Sequence, residues 1–247
     1  MAYPHDMQCG SQWSDAQIWL RNRSAPIRDV MRFTVVYQGQ LSASGNSGKG
    51  PEIADIRERL SIQFENLWET HGALQALKHE AWAHPAHDRG GFDRVGGVNL
   101  PLAKNYSPAE RAEFTPNMVN LTAPIDVDGR RYTPIVRESL HLACELQILF
   151  LRQDDPGALV SQGGDLDNRI KTLLDALRVP SKDEQTRAPP KAEHTYCLME
   201  SDTLVASLDV DTDRLLFPKT DYPNEVFLVI EVSIRVLKVD RSNVCLL

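Results

Sequence analysis

The chain has 247 residues, 42% of them hydrophobic and 25% charged, enough to bury a core as one large domain or two small ones. Its formal net charge is −7, from 27 Lys plus Arg against 34 Asp plus Glu, a balance that counts against a general polyanion binder. No apolar run is long enough to span a bilayer, the amino terminus has neither a basic start nor an apolar stretch, and Cys9, Cys144, Cys197 and Cys245 lack paired spacing; these features lead us to expect a cytoplasmic protein without membrane contact or disulfides.

In chain order, Arg32 to Gln40 (RFTVVYQGQ) is β-branched and aromatic and reads as a strand, and the Gly/Ser/Asn cluster from Ser42 to Gly50 as a mobile loop. From Pro51, the stripe of Ile53, Ile56, Leu60, Phe64 and Leu67, with acids in the first turn and Gly72 beyond the end, predicts a helix. Trp68 follows that stripe closely enough to belong to the core. Residues 73–138 are rich in Gly, Pro and His and read as an insertion, with one hairpin turning at Asp128-Gly129. His79, His84 and His87 lack matching acids or cysteines and read as loop residues, not zinc ligands. Leu140 to Arg152 reads as a buried strand, although its length also permits a helix. A polar loop, QDDPGALVSQGG, leads to a second helix, and residues 179–199 read as a second insertion. Thr203 to Val210 and Glu225 to Val239 complete the pattern as strands. Asp209, Asp211 and Asp213 resemble the start of a calcium loop but lack its glycine and closing glutamate. The expectation is an α+β fold, one domain spanning 1–247, with a single mixed β-sheet and helices packed on it; its core covers about 30–72 and 139–240.

The chemistry is suggested by GGDLDNRIKTLLDAL, Gly163 to Leu177. If Gly164 to Asp167 is extended, Asp165 and Asp167 project to one side while Leu166 points inward. Two carboxylates sharing a small volume need a raised pKa or a cation, and a hard divalent ion such as Mg²⁺ suits carboxylate oxygens. Ile170, Leu173, Leu174 and Leu177 form the buried stripe of the helix that follows, leaving Asn168, Lys171 and Asp175 on another face. Lys171 lies one turn beyond Asp167, within reach of the acids or of a phosphate. Read without function, the same residues are a helix cap and a solvated ion pair. The segment from Arg169 to Lys191 is locally basic, with six basic residues against three acidic ones, despite the global charge.

The pattern of Asp165, Asp167, Asn168, Lys171, Asp175, Ala176 and Leu177, followed by Asp202 ahead of the β-branched Thr203-Leu204-Val205, resembles the RusA-like Holliday junction resolvases. The resemblance covers roughly Arg32 to Gln40 and Leu140 to Val239 with gaps and implies a strand-helix-strand-helix-strand-strand core. It further implies a homodimeric, Mg²⁺-dependent DNA endonuclease acting on branched DNA, with Mn²⁺ as a substitute ion. Asp165, Asp167 and Asp202 would hold the metal, and Lys171 would complete the catalytic set. Asn168, Arg169, Arg178 and Lys182 are the candidate substrate contacts, from the motif and the basic segment. The chain departs from the family in being larger and acidic, and in carrying Ser201-Asp202 where paired acids are common, with Glu200 as a candidate deputy. The alternative is a catalytically inactive scaffold of the same fold that binds a protein or nucleic-acid partner.

Overall fold

The computed structural model of the chain describes residues 31–43, 49–84, 93–94, 119–153, 165–216, 225–239 and 242–247. The first strand, β1 (Met31–Gln40), alternates as a half-buried strand must: Met31, Val35 and Tyr37 face the core, and Arg32, Thr34, Val36 and Gln38 face solvent. Then α1 (Gly50–Thr70) begins with Pro51 and buries Ile56, Leu60, Phe64 and Trp68 at four-residue spacing, with Ile53 and Leu67 packed beside them. Its Gln63 closes the free edge of β1, donating to the carbonyl of Val36 (2.7 Å) and accepting from the same residue's N–H (3.0 Å) as a neighbouring strand would. At His71 the backbone turns extended (ψ 118°), and α2 (Gly72–Glu80) starts in a new direction.

Three short strands, β2 (Trp82–His84), β3 (Asp93–Arg94) and β4 (Val119–Asn120), pair antiparallel in the order β3-β2-β4. The hairpin expected at Asp128-Gly129 joins β5 (Ile125–Val127) to β6 (Arg130–Val136). Its two turn residues have φ of 51° and 79°, the left-handed pair that a two-residue type I′ turn demands. The ambiguous segment forms a strand, β7 (Leu142–Arg152), burying Leu142, Cys144, Leu146, Ile148 and Phe150 with period two. Next come α3 (Asp165–Leu177), α4 (Lys182–Arg187), β8 (His194–Met199), a 3-10 turn at Asp202–Leu204, β9 (Val205–Arg214) and β10 (Glu225–Val236). Asp209, Asp211 and Asp213 are strand residues of β9.

The α+β class stands, but the strands do not join into the single sheet expected from the sequence. Besides the small antiparallel sheet, a four-stranded sheet runs β1-β10-β7-β9 and a separate three-stranded one runs β5-β6-β8. Each of these two is mixed: β7 and β9 are parallel, as are β6 and β8, while the remaining pairs are antiparallel. The second sheet was hidden because β6 buries Tyr132 through Val136 on both faces and so lacks alternation, while β8 follows a polar, proline-bearing stretch. Helix α1 separates the sheets, packing against both β1 and β8, which gives β6 and β8 an apolar surface of their own to pair on. Leu121, Ile135, Val136, Leu198 and Met199, all from the two segments read as insertions, belong to the same buried cluster as the α1 stripe.

Parallel pairs need a crossover, and α3 lies within both, between β6 and β8 and between β7 and β9. Three arginines are almost fully buried. Arg137 donates to the carbonyls of Thr122, Ala123 and Pro134, and burial lowers its pKa to about 10 despite the opposing pull of Glu200. Arg57 and Arg169 are described with the site below. Cys144 and Cys197 are buried free thiols pushed up to about 12 by burial, Cys245 is in no disulfide, and Cys9 lies outside the described residues. No helix among the described residues is long and apolar enough to cross a membrane.

The two faces of α1 predict opposite outcomes. Phe64→Ala is expected to lower the unfolding free energy by about 3–5 kcal/mol. Ile62→Ala, at a position 69% exposed on the solvent side, should change it by less than about 0.5 kcal/mol. Urea unfolding followed by circular dichroism measures both.

Candidate functional site

Helix α3 begins at Asp165, so residues 165–167 are helical and not extended. Leu166 is half-buried against the core and extends the stripe of Ile170, Leu173 and Leu177 by one turn, which draws the acids into the helix. Residues two apart in a helix sit about 200° apart around its axis, so the strand-like alternation of Asp165 and Asp167 is not available here. The side chain of Asp165 lies outside the described residues, as does the loop from 154 to 164.

The opposite face of α3 opens on a cleft of about 620 Å³. Asn168, Lys171, Thr172 and Asp175 form its floor, Lys49, Gly50, Pro51 and Ile53 at the start of α1 with Arg57 one wall, and Glu184 and Arg187 of α4 with the adjoining Ala188 the other. The Lys49 ammonium lies along α3, donating to Thr172 Oγ1 (2.8 Å) and to the Asn168 carbonyl (3.4 Å). Arg57 is 4% exposed and donates to the carbonyls of Asp175 (2.6 Å) and Arg178 (3.2 Å), taking up acceptors that the last turn of a helix leaves unpaired. Burial lowers its pKa from the ordinary arginine value.

Five basic and two acidic side chains line the cleft, and one guanidinium engages both acids. Arg178 reaches Asp175 at 2.8 Å and Glu184 at 2.7 Å, and its Nη1 bonds Glu184 again at 3.0 Å. Burial pushes the Glu184 carboxyl up, but hydrogen bonds from Arg178 and from the Ser181 backbone outweigh it and hold the group below the usual carboxylate range. Ser181 and Glu184 also form a capping box at the start of α4. Lys171 and Arg187 are exposed and have no hydrogen-bonded or ion-paired partner among the described residues. The solvated ion pair that Asp167 and Lys171 could have formed is therefore not made.

The sequence-derived residues separate accordingly. Asp167 is exposed in the first turn of α3 and does not line the cleft. Asp202 is exposed at the start of its 3-10 turn, where Ser201 Oγ donates to it (3.4 Å) and accepts from the Thr203 N–H (3.3 Å). That turn lies against α3, with Cα atoms of the two elements within 8 Å. Among the described residues, to which the Asp165 side chain does not belong, no three His, Cys, Asp or Glu side chains stand close enough to hold a metal ion. Glu200 accepts from the Glu138 N–H (3.3 Å).

Of the four substrate candidates, Asn168 and Arg178 line the cleft. Arg169 does not: it is 3% exposed and donates to the carbonyl of Leu41, tethering the end of β1 to α3. Lys182 is also elsewhere, directed at Asp128 of the hairpin turn (3.6 Å). Of the histidines, His79 sits on α2, the His84 side chain and His87 lie outside the described residues, and so does the side chain of Trp82.

Lys49 was missed, being counted with the loop that precedes α1. One signal could have found it: a lysine at a helix start opposes the helix dipole, a local rule that chains break mostly for a reason. Compared with protein-family models, curated proteins and solved structures, the chain matches none.

The Arg178 network carries a pH dependence. A carboxylate whose folded pKa is depressed adds stability above its unfolded pKa and loses it as pH falls through the folded value. The unfolding free energy should therefore decline below the ordinary glutamate range, near 4.5, and Glu184→Gln should flatten that decline. Urea titrations from about pH 6 to about pH 3 read the slope of both proteins.

Proposed function

We propose that the chain is a Mg²⁺-dependent DNA endonuclease that hydrolyses phosphodiester bonds in branched DNA and works as a two-fold dimer, as its resemblance to the RusA-like resolvases implies. The observation that carries this reading is Lys171: an unpaired ammonium on the motif helix, at the floor of a cleft with more basic than acidic walls. A phosphate is the group that such a cleft attracts.

The acids fit a hard divalent ion by their chemistry. Asp167 and Asp202 are exposed carboxylates outside any ion pair among the described residues, on two elements that lie against each other. These two would hold the ion, with Asp165 as the third ligand that the resemblance implies. When bound, Mg²⁺ supplies Lewis-acid polarisation of the phosphate and a lowered pKa for attacking water. Lys171 would place its charge beside the phosphoryl oxygens, stabilising the charge that builds there during in-line attack. Arg57 and Arg178 keep α3 and α4 in place while this happens, and neither has to reach the substrate. The alternative, an inactive scaffold of the same kind, makes no demand on Lys171.

Incubation with four-way junction, flap and linear DNA, with and without Mg²⁺ or Mn²⁺, tests the reading. Metal-dependent cleavage is expected, strongest on branched substrates and lost in Asp167→Asn and in Asp202→Asn. A wild-type protein inert on every substrate with either metal would overturn it in favour of the scaffold. Lys171→Ala should slow cutting by on the order of a hundredfold or more while leaving the unfolding curve unchanged, because its side chain supports no packing.

A further inference from the structure

The basic segment from Arg169 to Lys191 contains six cations, and the structure sorts them by where each is directed. Arg169 is buried on the Leu41 carbonyl, Arg178 pairs with both Asp175 and Glu184, Lys182 turns to Asp128, and Lys191 turns to Glu58 at 3.9 Å. Lys171 and Arg187 remain, and both line the same cleft. A third cation arrives from far away in sequence. Lys49 enters from the start of α1, its ammonium bonded to a hydroxyl and a carbonyl but to no carboxylate. The acid in the first turn of α1, Glu52, is drawn away to Ser42, whose backbone N–H and hydroxyl both donate to it. Three cations thus converge from three helices, and the two acids among them are engaged by a fourth.

From this convergence we propose that the cleft between α1, α3 and α4 is a phosphate-binding groove for one strand of DNA, with Lys49 and Arg187 as grips on backbone phosphates on either side of Lys171. The proposal rests on the nuclease reading for the identity of the ligand, and it adds two residues outside the motif. The cleft volume is in the range of sites that enclose a small ligand, so it takes a nucleotide-sized piece of one strand and not a duplex. The planar guanidinium of Arg187 suits two phosphate oxygens at once, whereas Lys49 acts as a point charge. Neither contact reads a base, so both should act uniformly over sequence and depend on salt.

Fluorescence anisotropy with a labelled single-stranded oligonucleotide, in Ca²⁺ to hold back cleavage, tests the groove on the full chain. For the wild type, log Kd should rise linearly with log salt concentration. The pair Lys49→Gln and Arg187→Gln, which keeps hydrogen-bonding groups while removing charge, should weaken binding about tenfold and lower that salt slope by about 0.7 per residue removed. Arg187→Glu alone should weaken binding further than Arg187→Gln, and circular dichroism melting establishes that each variant is folded. Binding that is absent in the wild type, or unchanged in affinity and slope in the folded variants, would overturn the groove. The two readings separate cleanly: salt-dependent binding sensitive to these variants in a protein that never cuts DNA retains the groove and sinks the nuclease. Metal-dependent cutting with binding indifferent to Lys49 and Arg187 does the reverse.

Discussion

The guanidinium of Arg57 sits almost fully buried against the end of α3, hydrogen-bonded to the Asp175 and Arg178 carbonyls. A buried cation with carbonyl partners and no carboxylate bonded to it is costly to desolvate, and what offsets the cost is the negative end of a helix together with acceptors that would otherwise be unpaired. The contact fixes where α3 ends relative to α1. Because α3 lies in both parallel crossovers, fixing it also constrains how the two mixed sheets can be laid on either side of α1. Arg169 and Arg137 repeat the device, one holding Leu41 at the end of β1 and the other gathering the carbonyls of Thr122, Ala123 and Pro134. In each case five fixed donors on a rigid fork join chain segments that have no ladder between them.

This arrangement determines which face of the motif helix is left for chemistry. The apolar stripe from Leu166 to Leu177 is committed to the core, and the C-terminal carbonyls are committed to Arg57. Asn168, Lys171, Thr172 and Asp175 remain on one side of the helix, facing the start of α1 and the helix α4. Arg178 then removes Asp175 from the electrostatic balance by pairing it, and Glu184 with it. Had Arg178 been uncharged, two unpaired carboxylates would stand opposite Lys171 and reduce the excess of positive charge in the cleft. A residue that contacts no substrate can thus set the strength of the field that a substrate meets.

Much of the fold was legible because its elements are locally consistent: β1 and α1 each show a clear period, β10 is a long β-branched run, and Asp128-Gly129 has a turn geometry that few other dipeptides accept. The second sheet was not legible, since Tyr132 through Val136 are buried without alternation and the partner of β6 lies some sixty residues further on, at His194 to Met199. Long-range pairing of that kind leaves no local trace. At the site, the exposed face of Asn168, Lys171 and Asp175 followed from helical period alone. The start of the helix did not, because Leu166 was read as the inward residue of an extended segment when it is the first residue of the stripe. Arg169 illustrates the same limit: a charge beside a catalytic motif suggests substrate, whereas its burial is a tertiary fact that no window of sequence contains.

The net charge of −7 runs counter to a cleft that attracts phosphate. Charge acts locally, however, since screening at physiological ionic strength reduces it beyond about 8 Å. Part of the acidity has a structural account elsewhere. Asp209, Asp211 and Asp213 alternate along β9, an edge strand ten residues long that is exposed along most of its length, and Ser207 is the other residue on their face. An exposed edge invites another strand to pair with it, and a row of like charges is one of the ways proteins discourage that. Those carboxylates bear on how the four-stranded sheet ends and not on what Lys171 meets. The balance that governs the cleft is the one drawn by its own walls, where Arg178 holds both acids and Lys49, Lys171 and Arg187 hold none.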